Sequence, residues 1–226
     1  MLDESYSNSS ILFLGKKKDE YCRKALDFVK SNFKEVEAYL GEWGDPLPEY
    51  IGYWDGDYII SYLSRWIIPE YLIKKAKKAA INFHPASPEY PGIGCNNFAL
   101  YENSKEYGVT CHYMNPKVDT GKIISVKRFP VFANDNVNSL LSRTHDFQLT
   151  LFYEIIGRIL QGETLPESSE QWSRKPFTRK EFNELCKITA DMSKEEIKKR
   201  IRATNYLHFK PIINVSGYEF ELKVKT

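Results

Sequence analysis

"INFHPASPEYPGIGCNNFAL", Ile81 to Leu100, is the stretch whose reading decides the fold. An apolar run reaches His84, prolines at 85, 88 and 91 stiffen the next loop, and Gly92 and Gly94 lead into a second apolar run with helical spacing. A strand passing into a rigid loop and then a helix is the kind of junction at which open α/β sheets hold ligands, beyond the carboxyl ends of their strands. Strand side chains alternate, so Asn82 and His84 face one side and Phe83 the other. An amide and an imidazole therefore converge on one crevice, with a proline-stiffened loop as its wall. The plainer reading is that His84-Pro85 marks only a turn and that Asn82 bonds a neighbouring backbone group.

Upstream, "ILFLG" (11–15) reads as a strand, "DEYCRKALDFVKSNF" (19–33) as an amphipathic helix, "VEAYL" (36–40) and "YIISYL" (58–63) as further strands, and "PEYLIKKAKKA" (69–79) as a helix opened by proline. Strands alternating with helices predict an α/β fold, a Rossmann-like, doubly wound, mostly parallel sheet. Downstream, "YGVTCHYM" and "GKIISVKRFPVF" are two β-rich runs, and residues 137–160 form one long amphipathic helix. A polar, proline-containing linker (161–180) comes next, then two short helices, the second entered by Ser193 and Glu196 as a capping box, and a β-hairpin around Ser216-Gly217. The expected division is residues 1–165 as the main domain and 166–226 as a small helical and hairpin appendage. A lone hairpin is marginal in water, so this one should pack on the domain or pair with another chain.

The chain has 226 residues, 42% apolar and 27% charged, with a formal net charge of +2, so it folds around a real core and carries no strong global field toward nucleic acid or membrane. "MLDESYSNSS" is acidic and polar where a secretory leader would be basic and then apolar, and no run has the length of a membrane span. A cytoplasmic protein with four reduced cysteines, Cys22, Cys95, Cys111 and Cys186, is the expectation. A zinc module built from Cys95, Cys111, His112 and His84 is disfavoured, because Cys111 and His112 are adjacent on a strand and point opposite ways. "VDTG" (118–121) lies between the two β-rich runs and puts Asp119 where it could reach the Asn82–His84 crevice, or where it serves only as a turn residue.

"NFHP", the loop "PEYPG", "YGVTCHYM" and "VDTGKII" together resemble the catalytic core of the formyltransferases that use 10-formyltetrahydrofolate, over a span from about Ser61 to Val131. The resemblance implies a catalytic set of Asn82, His84 and Asp119. Formyl transfer to an amine needs a donor to the developing oxyanion, a group to take the amine proton, and something to hold that group. An amide donor of this kind is worth about 3 to 4 kcal/mol in other enzymes. An imidazole with an ordinary pKa near ~6.5 can accept the proton, or, already protonated, can stabilise the oxyanion itself. Neither role needs a metal. By resemblance the folate is lined by "SRWIIP" and "NPKVD", naming Arg65, Trp66, Ile67, Pro116, Lys117 and Val118.

Three acceptors occur in that family. The near-neutral charge and the roughly fifty residues after the linker argue against an initiator-tRNA enzyme. "RIRATNYLHFKPIINVSGYEFEL" and "EYPGIGCNNFALYE" resemble the sugar N-formyltransferases, which implies a dTDP-linked amino sugar of the O-antigen kind as acceptor and a homodimer formed through the hairpin. Glycinamide ribonucleotide is the alternative acceptor, and a non-catalytic folate- or nucleotide-binding module the alternative class. For the nucleotide sugar the expected contacts are Lys16, Lys17, Tyr90, Gly92, Asn97 and Tyr206, with Lys16 and Lys17 facing a diphosphate and an aromatic ring (Trp54, Tyr90 or Tyr206) stacking on the base.

Overall fold

The computed structural model describes residues 7–207 and 210–223. The opening hexapeptide, part of the stretch behind the no-leader expectation, and residues 208 and 209 of the tail that resembles sugar enzymes lie outside it. No described helix is long and apolar enough to cross a membrane.

The chain runs β1 (Ser7–Lys16), α1 (Glu20–Asn32), β2 (Phe33–Gly41), a 3₁₀ turn (Glu49–Tyr53), β3 (Gly56–Tyr62), α2 (Glu70–Ile73), β4 (Ala76–His84), α3 (Cys95–Tyr101), β5 (Glu106–Tyr113), β6 (Ile123–Pro130) and α4 (Val137–Leu160). It continues through α5 (Arg179–Leu185), β7 (Lys187–Ile188), α6 (Lys194–Thr204), β8 (Ile212–Val215) and β9 (Tyr218–Glu221). The main sheet has the order β2-β1-β3-β4-β5-β6. Strands β1 to β4 are parallel, while β4–β5 and β5–β6 are antiparallel. The expected mostly parallel α/β sheet is present, and the chain reverses its winding between β1 and β3, the position that opens a crevice in such sheets.

The two faces of this sheet are covered unequally. Ile11, Phe13, Ile60, Tyr62, Ile81 and Phe83 face the large core, where α1 buries Cys22, Ala25, Leu26 and Val29 and α4 buries a stripe from Leu140 to Ile159. These are helical spacings of three and four, so each helix lays one apolar stripe on the sheet. Both helices are capped: Asp19 accepts from the Cys22 amide, and Asn136 with Ser139 forms a capping box. Gln148 of α4 donates to the Phe83 carbonyl at 2.7 Å, fastening the helix to β4. On the other face Leu12, Leu14, Ile59 and Ala80 meet only a small cluster with Ile51, Trp54, Ile68 and Leu72. Asn82 and His84 share the parity of Ala80, so they stand on the thinly covered face at the point where its apolar cover ends.

Two local expectations are corrected. The helix over 69–79 shrinks to four residues, because β4 already begins at Ala76 to lie beside β3, with Gly56 opposite Ala76 and Tyr58 opposite Ala79. Strand pairing overrides the weak local preference of the Lys-Ala run. Of the capping box on α6, only half forms: Ser193 accepts from the Glu196 amide at 3.1 Å, but the Glu196 carboxylate is taken by Arg200 and Tyr101. The hairpin forms where expected, with Val215 opposite Tyr218 and positive φ at both Ser216 and Gly217, the turn that matches strand twist. It pairs with β7 to make a second, three-stranded sheet.

Candidate active site

The end of β4 supplies two of the site's side chains, and β5 a third. Asn82 is directly opposite His112 in the antiparallel β4–β5 pair, so both project from the same face. Asn82 Nδ2 lies 3.1 Å from His112 Nε2. Asp119 comes from the connection between β5 and β6, where it holds φ at +47°, a left-handed conformation that Asp tolerates better than most residues. Its Oδ2 is 3.3 Å from His84 Nδ1 and its Oδ1 is 3.4 Å from His112 Nε2. The Gly92 amide donates to Oδ2 at 2.9 Å. Asn82, His84 and Asp119 are therefore brought together, and His112 joins them. Phe83, between the two polar residues, points into the core as alternation requires.

Burial sets the charges. It opposes ionisation of Asp119, but favourable contacts led by His84, with the Gly92 amide among them, outweigh it and hold the carboxyl at about 2. For His84, burial is the largest influence and lowers its pKa, against the pull of Asp119 and the Tyr90 carbonyl. The neutral ring has an ionised carboxylate at Nδ1 and the Tyr90 carbonyl 3.1 Å from Nε2. The carboxylate is the stronger acceptor and favours hydrogen on Nδ1, leaving Nε2 as the basic atom. Asn82 is only half-buried, so its amide is the edge of the set that an incoming molecule meets.

The loop after β4 is tied down by Thr110 Oγ1, 2.7 Å from the Ala86 carbonyl, and by Tyr107 Oη, 3.1 Å from that of Pro85. The stretch expected to be a plain linker instead forms a strap over the site. The Ser168 amide donates to Ile123, that of Ser173 to Pro88 and that of Phe177 to Pro91, while Ile93 donates back to Phe177. Trp172 Nε1 donates to the Gly121 carbonyl at 2.7 Å, and its ring meets His84 and His112 edge-on at 5.7 and 5.1 Å. The Arg128 guanidinium clamps the strap by bonding Glu170 together with Glu89 and Glu106. Gly121 is required by this packing, since a Cβ there would lie 1.7 Å from the Tyr113 carbonyl oxygen.

The remaining expected contacts are more scattered. Arg65, just past β3, is partly buried with Nε lacking a hydrogen-bond partner, and its guanidinium lies 5.4 Å from the Trp43 ring centre. Ile67 and Val118 are 73% and 44% exposed. Trp66 packs on Gly41 and donates to the Asp45 carbonyl at 2.9 Å, while Pro116 and Lys117 are exposed on the loop before Asp119. Lys16 is paired with Asp19 at 2.7 Å, and Lys17 is exposed beside it. Asn97 is buried with Nδ2 donating to the Ala203 carbonyl at 2.6 Å, so its amide joins α3 to α6. Tyr90, expected as a stacking platform, is 5% exposed with its ring against Tyr107, and it meets the site through its carbonyl instead. Trp54 is likewise core, and Tyr206 packs against the main core. Cys111 points into that core away from His112, and among the described residues no group of three His, Cys, Asp or Glu side chains is arranged to hold a metal ion.

The family model described as formyl transferase matches residues 28–156. Among curated proteins, the methionyl-tRNA formyltransferase of Levilactobacillus brevis is 27% identical over 150 residues, covering 65% of this chain and 47% of that protein. The chain thus spans about half the length of the curated relative it matches. A 4-N formyltransferase from Francisella tularensis superposes with a TM-score of 0.77 at 17% identity, covering 97% of this chain and 98% of that one. An N-formyltransferase from Helicobacter canadensis, solved with folinic acid and dTDP-3-aminofucose, gives 0.71 at 21% identity over 92% and 85% of the two chains. These likenesses establish the fold that the sheet order already describes.

Proposed function

Because the chain belongs to the formyl transferase family, we propose that it moves a formyl group from 10-formyltetrahydrofolate to the amine of a nucleotide-linked sugar. The first candidate is a dTDP-linked 4-amino-4,6-dideoxy sugar of the kind used for O-antigen. The observation that carries the chemistry is the meeting of Asn82, His84 and Asp119 at one strand end. Near-complete superposition on a 4-N formyltransferase and on an enzyme solved with a folate and a dTDP-amino sugar supports this acceptor over tRNA.

In this reading the Asn82 N–H donates to the oxygen of the formyl group as charge gathers there, a contribution of about 3 to 4 kcal/mol per donor. His84, kept neutral by burial, takes up the amine proton, and the imidazolium so formed has the Asp119 carboxylate at Nδ1 and the Tyr90 carbonyl at Nε2 as acceptors. Asp119 stays ionised and holds Nδ1, so the imidazolium forms against a fixed counter-charge. The donor supplies the formyl carbon. The unpartnered Arg65 Nε and the exposed Ile67 and Val118 fit a ligand with an anionic tail and an apolar ring system, as a folate has. Four free, buried cysteines suit a reducing, cytoplasmic setting. Val215, Tyr218 and Phe220, all more than half exposed on the hairpin, suit pairing with a second copy.

The test is a panel of dTDP- and UDP-amino sugars, glycinamide ribonucleotide and methionyl-tRNA, each incubated with 10-formyltetrahydrofolate and followed by tetrahydrofolate release. Turnover of one or more amino sugars is expected. Turnover confined to glycinamide ribonucleotide or to tRNA overturns the acceptor, and no turnover with an intact fold overturns the enzyme. Solution mass near twice the 26.4 kDa chain checks the dimer.

A further inference from the structure

A carboxamide has two nearly isosteric ends, and only one can help an oxyanion. If Asn82 turned its oxygen toward the reacting carbon it would repel the charge it is there to bind. Something must hold the amide with its N–H inward, and the backbone of β4 does not.

We infer that His112 is a positioning residue that fixes the orientation of the Asn82 amide, through a ring tautomer set by the Tyr113 carbonyl. His112 Nδ1 lies 2.8 Å from the Tyr113 carbonyl oxygen, which can only accept, so Nδ1 carries the hydrogen. On the neutral ring Nε2 is then a lone pair. The atom 3.1 Å from that lone pair is Asn82 Nδ2, which donates to it. One amide hydrogen is thereby fixed on His112 and the second is left for the substrate, with Oδ1 turned aside. The ring has no freedom to do otherwise. His112 is 2% exposed, so no bulk water substitutes for either partner, and the Trp172 edge meets it at 87°. The strand register slips between Cys111 and His112 in the pairing with β6, and the ring sits at that irregularity. Asp119 Oδ1, 3.4 Å from Nε2, is the competing partner. A hydrogen on Nε2 would point to it and would force the amide to reverse. Gly92 and His84 both engage Oδ2, and Asn82 Nδ2 at 3.1 Å is nearer to Nε2 than Oδ1 is, so the amide is the better-placed partner of Nε2.

This inference rests on the formyl-transfer reading for its catalytic consequence but not for its geometry, and two experiments separate them. In the ligand-free full chain, 15N spectra of the imidazoles should show His112 protonated on Nδ1 with a bare Nε2. Hydrogen on Nε2 overturns the proposal whatever the activity. With dTDP-4-amino-4,6-dideoxyglucose and 10-formyltetrahydrofolate, His112→Leu should lower kcat by about 10- to 100-fold, less than the loss of the oxyanion donor itself, with both KM values changed by less than about threefold. His112→Gln, which places an acceptor near the position of Nε2, should recover most of that loss. On an Asn82→Ala background, His112→Leu should cost less than about twofold more, as expected for residues acting as one unit. A full additional loss in that background, or a raised KM with unchanged kcat, overturns the role. If His112→Leu does not fold, the Gln variant and the spectra still decide it.

Discussion

The Gly92 amide donates to Asp119 Oδ2 across 2.9 Å, so the proline-rich loop after β4 and the loop between β5 and β6 meet at one carboxylate. Gly92 also holds φ at +90°, and a Cβ added there would lie 2.4 Å from the Phe177 carbonyl oxygen. Gly92→Ala should therefore lose both the strap and the Asp119 bond. The expected destabilisation exceeds about 1 kcal/mol, a few degrees in melting temperature for a chain of this size. Activity measured well below melting should fall further than stability does, and equal activity would show that the Gly92 bond does not organise the site.

Acid should weaken the fold in two steps. Burial lowers the His84 pKa, so the unfolded chain takes up that proton first and stability declines as pH falls through about 6.5. Asp119, held at about 2 against an ordinary 3.8, contributes stability that is complete above its ordinary value and is lost between the two. That second step is of the order of 2 kcal/mol. Urea midpoints from pH 8 to 2 check this, and Asp119→Asn should remove the lower step.

Asn82→Ala should lower kcat by about 10²- to 10³-fold with substrate KM values little changed, the mark of a group that acts on the transition state. Asn82→Asp should be worse, since a second carboxylate would face both the oxyanion and Asp119. His84→Gln should lose activity that a higher pH does not restore. Circular dichroism of each variant establishes that the fold remains.

Arg65→Leu should raise KM for 10-formyltetrahydrofolate by about tenfold, with kcat and the sugar KM nearly constant, if its buried Nε awaits an anionic group of the folate. Its melting temperature should hold or rise, because burial of the cation is unfavourable where no partner bonds Nε. A raised KM for the nucleotide sugar alone would assign Arg65 to the other substrate.

The part of this site that could be read from sequence is the part set by local rules. Alternation alone puts Asn82 and His84 on one face, and proline and glycine spacing marks the stiff loop. From sequence His112 presents itself only as a metal ligand, because its partnership with Asn82 depends on the register between β4 and β5, which brings together residues thirty apart in the chain. Trp172 sits in a polar, proline-containing stretch with no periodicity, so no local signal distinguishes it from a linker residue. Tyr90 illustrates the converse: an aromatic ring beside a glycine-rich loop suggests a ligand platform, yet packing against Tyr107 takes the ring into the core. The short α2 obeys the same logic, since where β4 begins is dictated by β3.

The strap carries a lesson for anyone recombining these enzymes. Residues 168–177 are at once the roof over two imidazoles and the covalent route from the sheet to the C-terminal elements. A chimera that exchanges C-terminal elements should be spliced after Thr178, because a junction upstream would swap the cover over His84 and His112 along with the appendage.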